Sequence, residues 1–288
     1  MKFKFGVDSF IWTENFSEKD LWIIPKAKEL GFEVLDIATA HPETFPTEKV
    51  IKEVKKAGIE PVTTHTLLKE SNIISPDPKI RKNGVKMLKL MVDINQALGS
   101  KIFGGVNYAG WGCLSGKPRT KDEWNWSVES MKEAAEYAKK QYPALSICVE
   151  PVNRFETHFL NIASDAVQYC KDVGTGNMKV HLDCFHMIRE ETSFKGAVET
   201  CGKKYLGYVH VCENNRGIPG TGLVPWKEFF TAVKSIGYDG PMVIESFDPS
   251  FEELNRLCAI WRKFADSGEE LAVEGLKRLR AIAKTIGR

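Results

Sequence analysis

Eight short β-rich runs alternate with longer helical patterns along almost the whole of this 288-residue chain, and that alternation leaves few folds open. The runs fall at residues 3–8, 34–38, 60–65, 101–106, 146–150, 178–183, 206–211 and 242–245. Helical patterns lie between them at 18–30, 47–57, 78–98, 121–141, 163–173, 193–201 and 225–236. Strand–helix–strand units place their strands parallel, and eight of them close into a (β/α)8 TIM barrel. Glycine punctuates the joints in ELGFEV, KAGIEP, ALGSKI and SIGYDG, just past the last helical residue, where a left-handed cap is needed. An open doubly wound sheet is the other outcome of such alternation, but no Gly-x-Gly-x-x-Gly follows the first run. A barrel takes about 250 residues as one domain, so residues 1–288 are expected to form a single domain. In the tail, Leu271, Leu276, Leu279, Ile282 and Ile286 make one apolar stripe. It reads as the eighth barrel helix with a C-terminal helical extension.

The last four runs end on groups that bind metals: Glu150 in SICVEP, Asp183 in VHLDCFH, His210 in GYVHVCE and Glu245 in MVIESF. They stand 33, 27 and 35 residues apart, each gap about one strand–loop–helix unit. In a closed barrel all four converge at the C-terminal mouth, where barrel enzymes keep their chemistry. Three carboxylates and an imidazole form an oxygen-rich site for a divalent cation such as Mn²⁺ or Mg²⁺. Taken alone, Glu150 reads as a surface carboxylate stopped by Pro151; its weight comes from the three equivalents in the units that follow. Asp183 opens an Asp-x-x-His pair with His186. His181, two residues before Asp183, points to the same face about 7 Å deeper and reads as core or as support. His210 shares its inward parity with Tyr208 and Cys212. The loop ENNRGIPGTG after it presents Arg216, a group suited to clamping an anionic or hydroxylated ligand. His41 and His158 read as loop residues.

Composition narrows the partners. Forty basic against 38 acidic residues leave a net charge of +2, with no basic surplus for nucleic acid or an anionic membrane. The N-terminus lacks the apolar core of a signal peptide and no apolar run spans a bilayer, so a soluble cytoplasmic protein is expected. Seven cysteines, an odd number with no Cys-x-x-Cys, read as reduced thiols, several of them in the core.

Four segments in order, VEPVNRFETHFLN, HLDCFHMIREETSF, HVCENNRGIPGTGLVPW and IGYDGPMVIESF, closely resemble the D-tagatose 3-epimerase and D-psicose (allulose) 3-epimerase family of the xylose-isomerase-like barrels. The likeness covers about residues 150–247 and extends into the tail, where IWRKFADSGEE is similar to a family segment. It implies a Mn²⁺-type cation, with Co²⁺ or Mg²⁺ as alternatives, on Glu150, Asp183, His210 and Glu245, and no organic cofactor. It also implies substrate contacts from Glu156, His186, Arg216 and Trp111, a small sugar as ligand, and a homo-oligomer, dimer or tetramer. The N-terminal half departs from the family. GVDSFIW stands where the epimerases carry aromatic residues, and TTHTLLKES places His65 at the end of the third run. Asp8 and His65 are therefore expected to add polar contacts at the mouth.

The chemistry the resemblance implies is epimerisation at carbon 3 of a free ketose through a cis-enediolate. Glu150 and Glu245, on opposite faces of that carbon, would exchange the roles of acid and base. Other reactions start from the same site: ketose–aldose or inosose isomerisation, or elimination from a 3-keto-glycoside. A nuclease of the endonuclease IV type would need a His-rich zinc cluster that six histidines, two of them peripheral, do not supply. A non-catalytic binding protein is disfavoured because all seven family-matched polar positions are present.

Overall fold

Parallel strands covered on both faces need buried residues at every position. Residues Val34–Thr39 are buried at all six. The computed structural model describes residues 3–286. Its strands are β1 (Lys4–Asp8), β2 (Val34–Thr39), β3 (Glu60–His65), β4 (Ile102–Gly104), β5 (Ser146–Val149), β6 (Met178–Asp183), β7 (Leu206–His210) and β8 (Pro241–Ile244). They pair in parallel in sequence order, and β1 closes on β8. Helices α1 (Ile23–Glu29), α2 (Thr47–Ala57), α3 (Pro78–Leu98), α4 (Lys121–Gln141) and α5 (Ala163–Val173) form the outer layer of the first half. Next come α6 (Cys184–Glu190), α7 (Phe194–Tyr205), α8 (Trp226–Ser235), α9 (Glu252–Cys258) and α10 (Gly268–Ala283).

Several boundaries differ from the sequence expectation. Residues 18–20 form a separate 3₁₀ turn, and the first helix begins at Ile23. Pro25, which lacks an N–H, thereby falls in the first turn, where helices tolerate it. The seventh helix runs on to Tyr205 with a break at Gly202 (φ 54°). α6 and α9 are additional: Asp183 caps α6 by accepting from Phe185 N–H at 2.7 Å. Glu150 and Glu245 each lie one residue beyond their strands, whereas Asp183 and His210 close theirs. Ile286 lies past the end of α10 and packs on the core from there. Gly58 and Gly99 take the left-handed cap conformation (φ 61° and 71°) that their place in the sequence calls for.

Inside the barrel one apolar layer crosses from wall to wall: Val34, Val62, Cys148, Tyr208 and Val243, with Ile102 against it. Two residues further along each strand is one pleat repeat, about 7 Å higher on the same inward face. Those positions are Asp36, Thr64, Glu150, His210 and Glu245. Strand periodicity alone therefore stacks a polar layer on an apolar floor.

The loop after β3 is fixed from below. A Cβ added to Gly84 of α3 would lie 2.2 Å from Ser71 O and 2.4 Å from Ile73 Cγ2. Next door, Asn72 Oδ1 accepts from Gly110 N–H at 2.7 Å, and Leu67 O accepts from Trp111 N–H at 2.8 Å, so this packing carries the Trp111 loop. Gly84→Ala is expected to destabilise the fold by about 1–3 kcal/mol through overpacking. That cost outweighs the gain of about 1 kcal/mol that Ala brings to a helix interior. Urea unfolding measures the net sign, and a stabilised variant would mean that the loop yields.

Candidate active site

His210 shows how the polar layer is organised. Its ring is fully buried and its Nε2 faces Asp36 Oδ2 at 3.2 Å. A carboxylate can only accept, so Nε2 carries a proton and Nδ1 is the ring atom directed into the site, where among the described residues it has no hydrogen-bond partner. Asp36 is held in turn by Tyr208 Oη at 2.5 Å and Thr64 Oγ1 at 3.2 Å. His186 is oriented in the same manner. Asn153 N–H donates to its Nδ1 at 3.1 Å, while its Nε2 lies 3.3 Å from Arg216 Nη2, with Asp183 Oδ2 (3.7 Å) and Glu150 Oε1 (3.8 Å) just beyond.

Arg216 reaches into the middle of the cluster. Its Nη1 lies 2.5 Å from Glu245 Oε2, 2.8 Å from Asp183 Oδ2 and 2.9 Å from Cys212 Sγ, and its guanidinium covers the Phe185 ring at 4.1 Å. Its backbone is left-handed (φ 61°), a strain of about 1–3 kcal/mol for a side-chain-bearing residue. The loop is fixed around it by Glu213, fully buried, which accepts from the N–H groups of Asn214, Gly220 and Val224 and from Trp226 Nε1.

The donor set suits a divalent cation. Ligand atoms of Asp183, His210, Cys212 and Glu245 all lie within 4.8 Å of one another. Glu150 belongs to two overlapping groups, one with Asp183 and His186 and one with His181 and His210. Three of the four residues singled out from strand ends thus share one group, and Glu150 adjoins it through Asp183 and His210. The positive Nη1 of Arg216 sits against two of their carboxylates, so the point they surround already accepts a cation. His181 lies 3.5 Å from Glu150 Oε2 and packs on the rings of Tyr208 and His210, so it supports the site from beneath.

The two glutamates differ electrostatically. Burial pushes the Glu150 carboxyl well above the usual carboxylate range, with Glu245 and Asp183 adding to the rise. Burial acts on Glu245 too, but Arg216 and His210 outweigh it and hold that carboxyl down to about 2. Burial opposes a charge on His210, yet Glu245, Asp36 and Glu150 raise it well above the ordinary imidazole range. His186 goes the other way, pulled far down by burial and Arg216.

Glu156 and Trp111 form the wall. Trp111 Nε1 donates to Glu156 Oε2 at 2.8 Å, and Asn153 Nδ2 donates to Oε1 at 2.7 Å. The segment after β8 covers the mouth: Phe247, Leu254 and Ile260 cluster with Phe10 and Trp111. One cavity of about 510 Å³ lies against Phe10, Thr39, Thr64, Trp111 and Leu254. A second, of about 350 Å³, lies against Asn153, Glu156, Phe185 and Cys258, and Leu257 touches both.

Asp8 is fully buried within reach of Asp36 and His210. Its Oδ1 accepts from Phe10 N–H at 2.6 Å, and its Oδ2 has no partner. His65 is not brought to this group. Its neighbour Thr64 is the inward residue, and His65 faces the layer between strands and helices, against Phe103, with Nδ1 2.8 Å from Thr39 O. Burial lowers His65 to about 4, which makes it a neutral packing residue there. Asp36, Tyr208 and Glu213 were not singled out from the sequence. The signal available for Asp36 was its place in an otherwise apolar strand, VLDIAT.

Residues 24–282 match the family model for the xylose isomerase-like TIM barrel. The D-psicose 3-epimerase of Ruminiclostridium cellulolyticum is 35% identical over 93% of this chain and 92% of its own length. The L-ribulose 3-epimerase of Mesorhizobium japonicum is 30% identical over 90% and 87%. The crystal structure of a D-allulose 3-epimerase from Methylomonas sp., solved with D-allulose, superposes with a TM-score of 0.91 at 28% identity, covering 97% of both chains. The chain therefore belongs to the xylose isomerase-like TIM barrel family. Within that family the relatives just named are ketose 3-epimerases, and this chain is an isomerase of the carbohydrate-epimerase class.

Proposed function

We propose that this protein interconverts free ketoses that differ at carbon 3, of the D-tagatose, D-psicose and D-fructose type. In this reading Glu150, Asp183, His210 and Glu245 hold a divalent cation, and Glu150 and Glu245 move the proton. One observation carries the reading. Carboxylates from β5 and β8, strands on different sides of the barrel, reach one buried cluster that also contains a guanidinium and an oriented imidazole. Relatives whose names are D-psicose and L-ribulose 3-epimerase support it.

Carbon 3 of a ketose lies beside the carbonyl, so losing its proton gives an enediolate. One carboxylate takes that proton and the other returns one to the opposite face, with roles exchanged in the reverse direction. His186 and Arg216, whose Nε2 and Nη2 lie 3.3 Å apart, hold the oxygens that gain charge, a stabilisation on the order of 3 kcal/mol per donor. Trp111 and Glu156 hold the sugar between them. Asp8 offers a carboxylate oxygen within 4.8 Å of Asp36 and His210, so in this reading its Oδ2 takes a hydroxyl close to the cation, which favours a substrate more polar there than D-fructose. Mn²⁺, or Co²⁺ or Mg²⁺ in its place, would polarise the carbonyl when bound, and no organic cofactor is required.

Asp36 is a positioning residue in this scheme, because it fixes the His210 tautomer. Asp36→Asn is expected to weaken cation affinity by roughly 10–100-fold, read by calorimetric titration, while turnover at saturating cation recovers. Unchanged affinity would count against that role.

The deciding experiment is a product screen with Mn²⁺ in D₂O, offering free ketoses and 3-keto-glycosides. A carbon-3 epimer carrying one solvent deuteron at that carbon is the expected product. An aldose product, or turnover of 3-keto-glycosides alone, would replace this reading with an isomerase or a lyase working from the same residues.

A further inference from the structure

We infer that Cys212 is a sulfur ligand of the cation this site takes, so that the site prefers thiophilic divalent ions, Co²⁺ and Zn²⁺, over hard ones such as Mg²⁺. The inference rests on the cation-site reading above and extends it to the metal's chemistry. Cys212 follows His210 by two residues on the same inward face, just past β7, and is fully buried. Its sulfur keeps different company from those of Cys148 and Cys170. Cys148 Sγ faces Ser146 O and Cys170 Sγ faces Lys179 O, each within reach of a backbone carbonyl. Cys212 Sγ instead faces the Glu245 carboxylate at 4.0 Å and Arg216 Nη1 at 2.9 Å.

The geometry allows one ion to hold both. Metal–sulfur and metal–oxygen bonds of about 2.3 and 2.1 Å together reach about 4.4 Å, more than the 4.0 Å between Cys212 Sγ and Glu245 Oε2. His210 Nδ1, buried and without a hydrogen-bond partner, is 3.4 Å from that same Oε2. Nη1 of Arg216 marks the shared point, since it touches Asp183, Glu245 and Cys212 together. A small cation at that point displaces Nη1, and the guanidinium keeps its seat over Phe185. As the metal–sulfur bond forms, the thiol proton leaves to solvent. The thiolate then joins the carboxylates of Asp183, Glu245 and Glu150 and the imidazole of His210 in the donor set. A soft thiolate raises affinity for Co²⁺ and Zn²⁺ much more than for Mg²⁺.

Cobalt makes the sulfur visible. Full-length protein stripped with a chelator and titrated with Co²⁺ is expected to show visible d–d bands together with a near-ultraviolet thiolate-to-cobalt charge-transfer band. Cys212→Ser and Cys212→Ala should keep the d–d bands and lose the charge-transfer band. Their preference for Zn²⁺ over Mg²⁺, measured by competition, should fall by at least about tenfold, the low end of what losing even an outer partner costs a metal site. His210→Ala should lose both sets of bands. Bound cobalt with His210-dependent d–d bands but no charge-transfer band overturns the sulfur ligand and leaves the cation site standing. A charge-transfer band that survives in both Cys212 variants overturns it as well. If Co²⁺ gives no bands at all, the cation-site reading itself fails.

Discussion

Glu150→Gln and Glu245→Gln are each expected to cut epimerisation by roughly 10²–10⁴-fold while leaving the barrel folded. Gln keeps the size and the hydrogen-bonding reach of Glu, but it can neither take nor return a proton. Glu245→Gln still leaves Arg216 its contact with Asp183 Oδ2 at 2.8 Å, so the loop keeps an anchor. The two variants should differ in a way that simple loss of structure would not produce. With one base gone, the remaining carboxylate can still remove the proton from the epimer whose C–H points toward it and hand it back to the same face. Each variant should therefore wash deuterium from D₂O into one epimer without inverting it, and the two variants should label opposite epimers. Mass spectrometry of recovered sugar reads this directly. Near-normal turnover in either variant, or identical labelling in both, would end the two-base assignment.

The parts of this site that were legible in the sequence are the parts that strand periodicity controls. Glu150, Asp183, His210 and Glu245 stand at equivalent places in successive units, and a barrel has only one mouth for strand ends to meet. The supporting residues were hidden because their partners are remote. Asp36 is bonded to Tyr208 and His210 across 172 and 174 residues, and no local pattern carries that information. His65 was misplaced for a related reason. Its strand, EPVTTH, is buried at five of six positions, so burial on both faces erases the alternation that would have told Thr64 from His65. Glu213 reads locally as one more polar loop residue; only the fold shows four donors turned toward it. α9 escaped because its stabilising contacts lie in the loops of distant units, through Phe10 and Trp111. The first helix is shorter than its sequence pattern because that pattern is continuous from 18 to 30, while the backbone starts its helix at Ile23, close to Pro25.

The second large effect belongs to His210→Ala, which is expected to abolish the stabilisation that a divalent cation confers. A cation that binds only the folded protein adds about 2.7 kcal/mol at 100 times its dissociation constant, which for a chain of this size raises the melting temperature by roughly 4–5 °C. Among the described residues, His210 Nδ1 is the one atom of the four proposed ligands that is both buried and without a hydrogen-bond partner, and Asp36 holds the ring in place. Taking the ring away also leaves the Asp36 carboxylate buried with Tyr208 and Thr64 alone, so the variant will melt lower even without metal. The informative quantity is therefore the increment on adding Mn²⁺, compared within each protein. Wild type should show the full increment, Asp36→Asn a smaller one at the same metal concentration, and His210→Ala none. An undiminished increment in His210→Ala would place the cation elsewhere and remove the basis for assigning Asp183 and Glu245 to it.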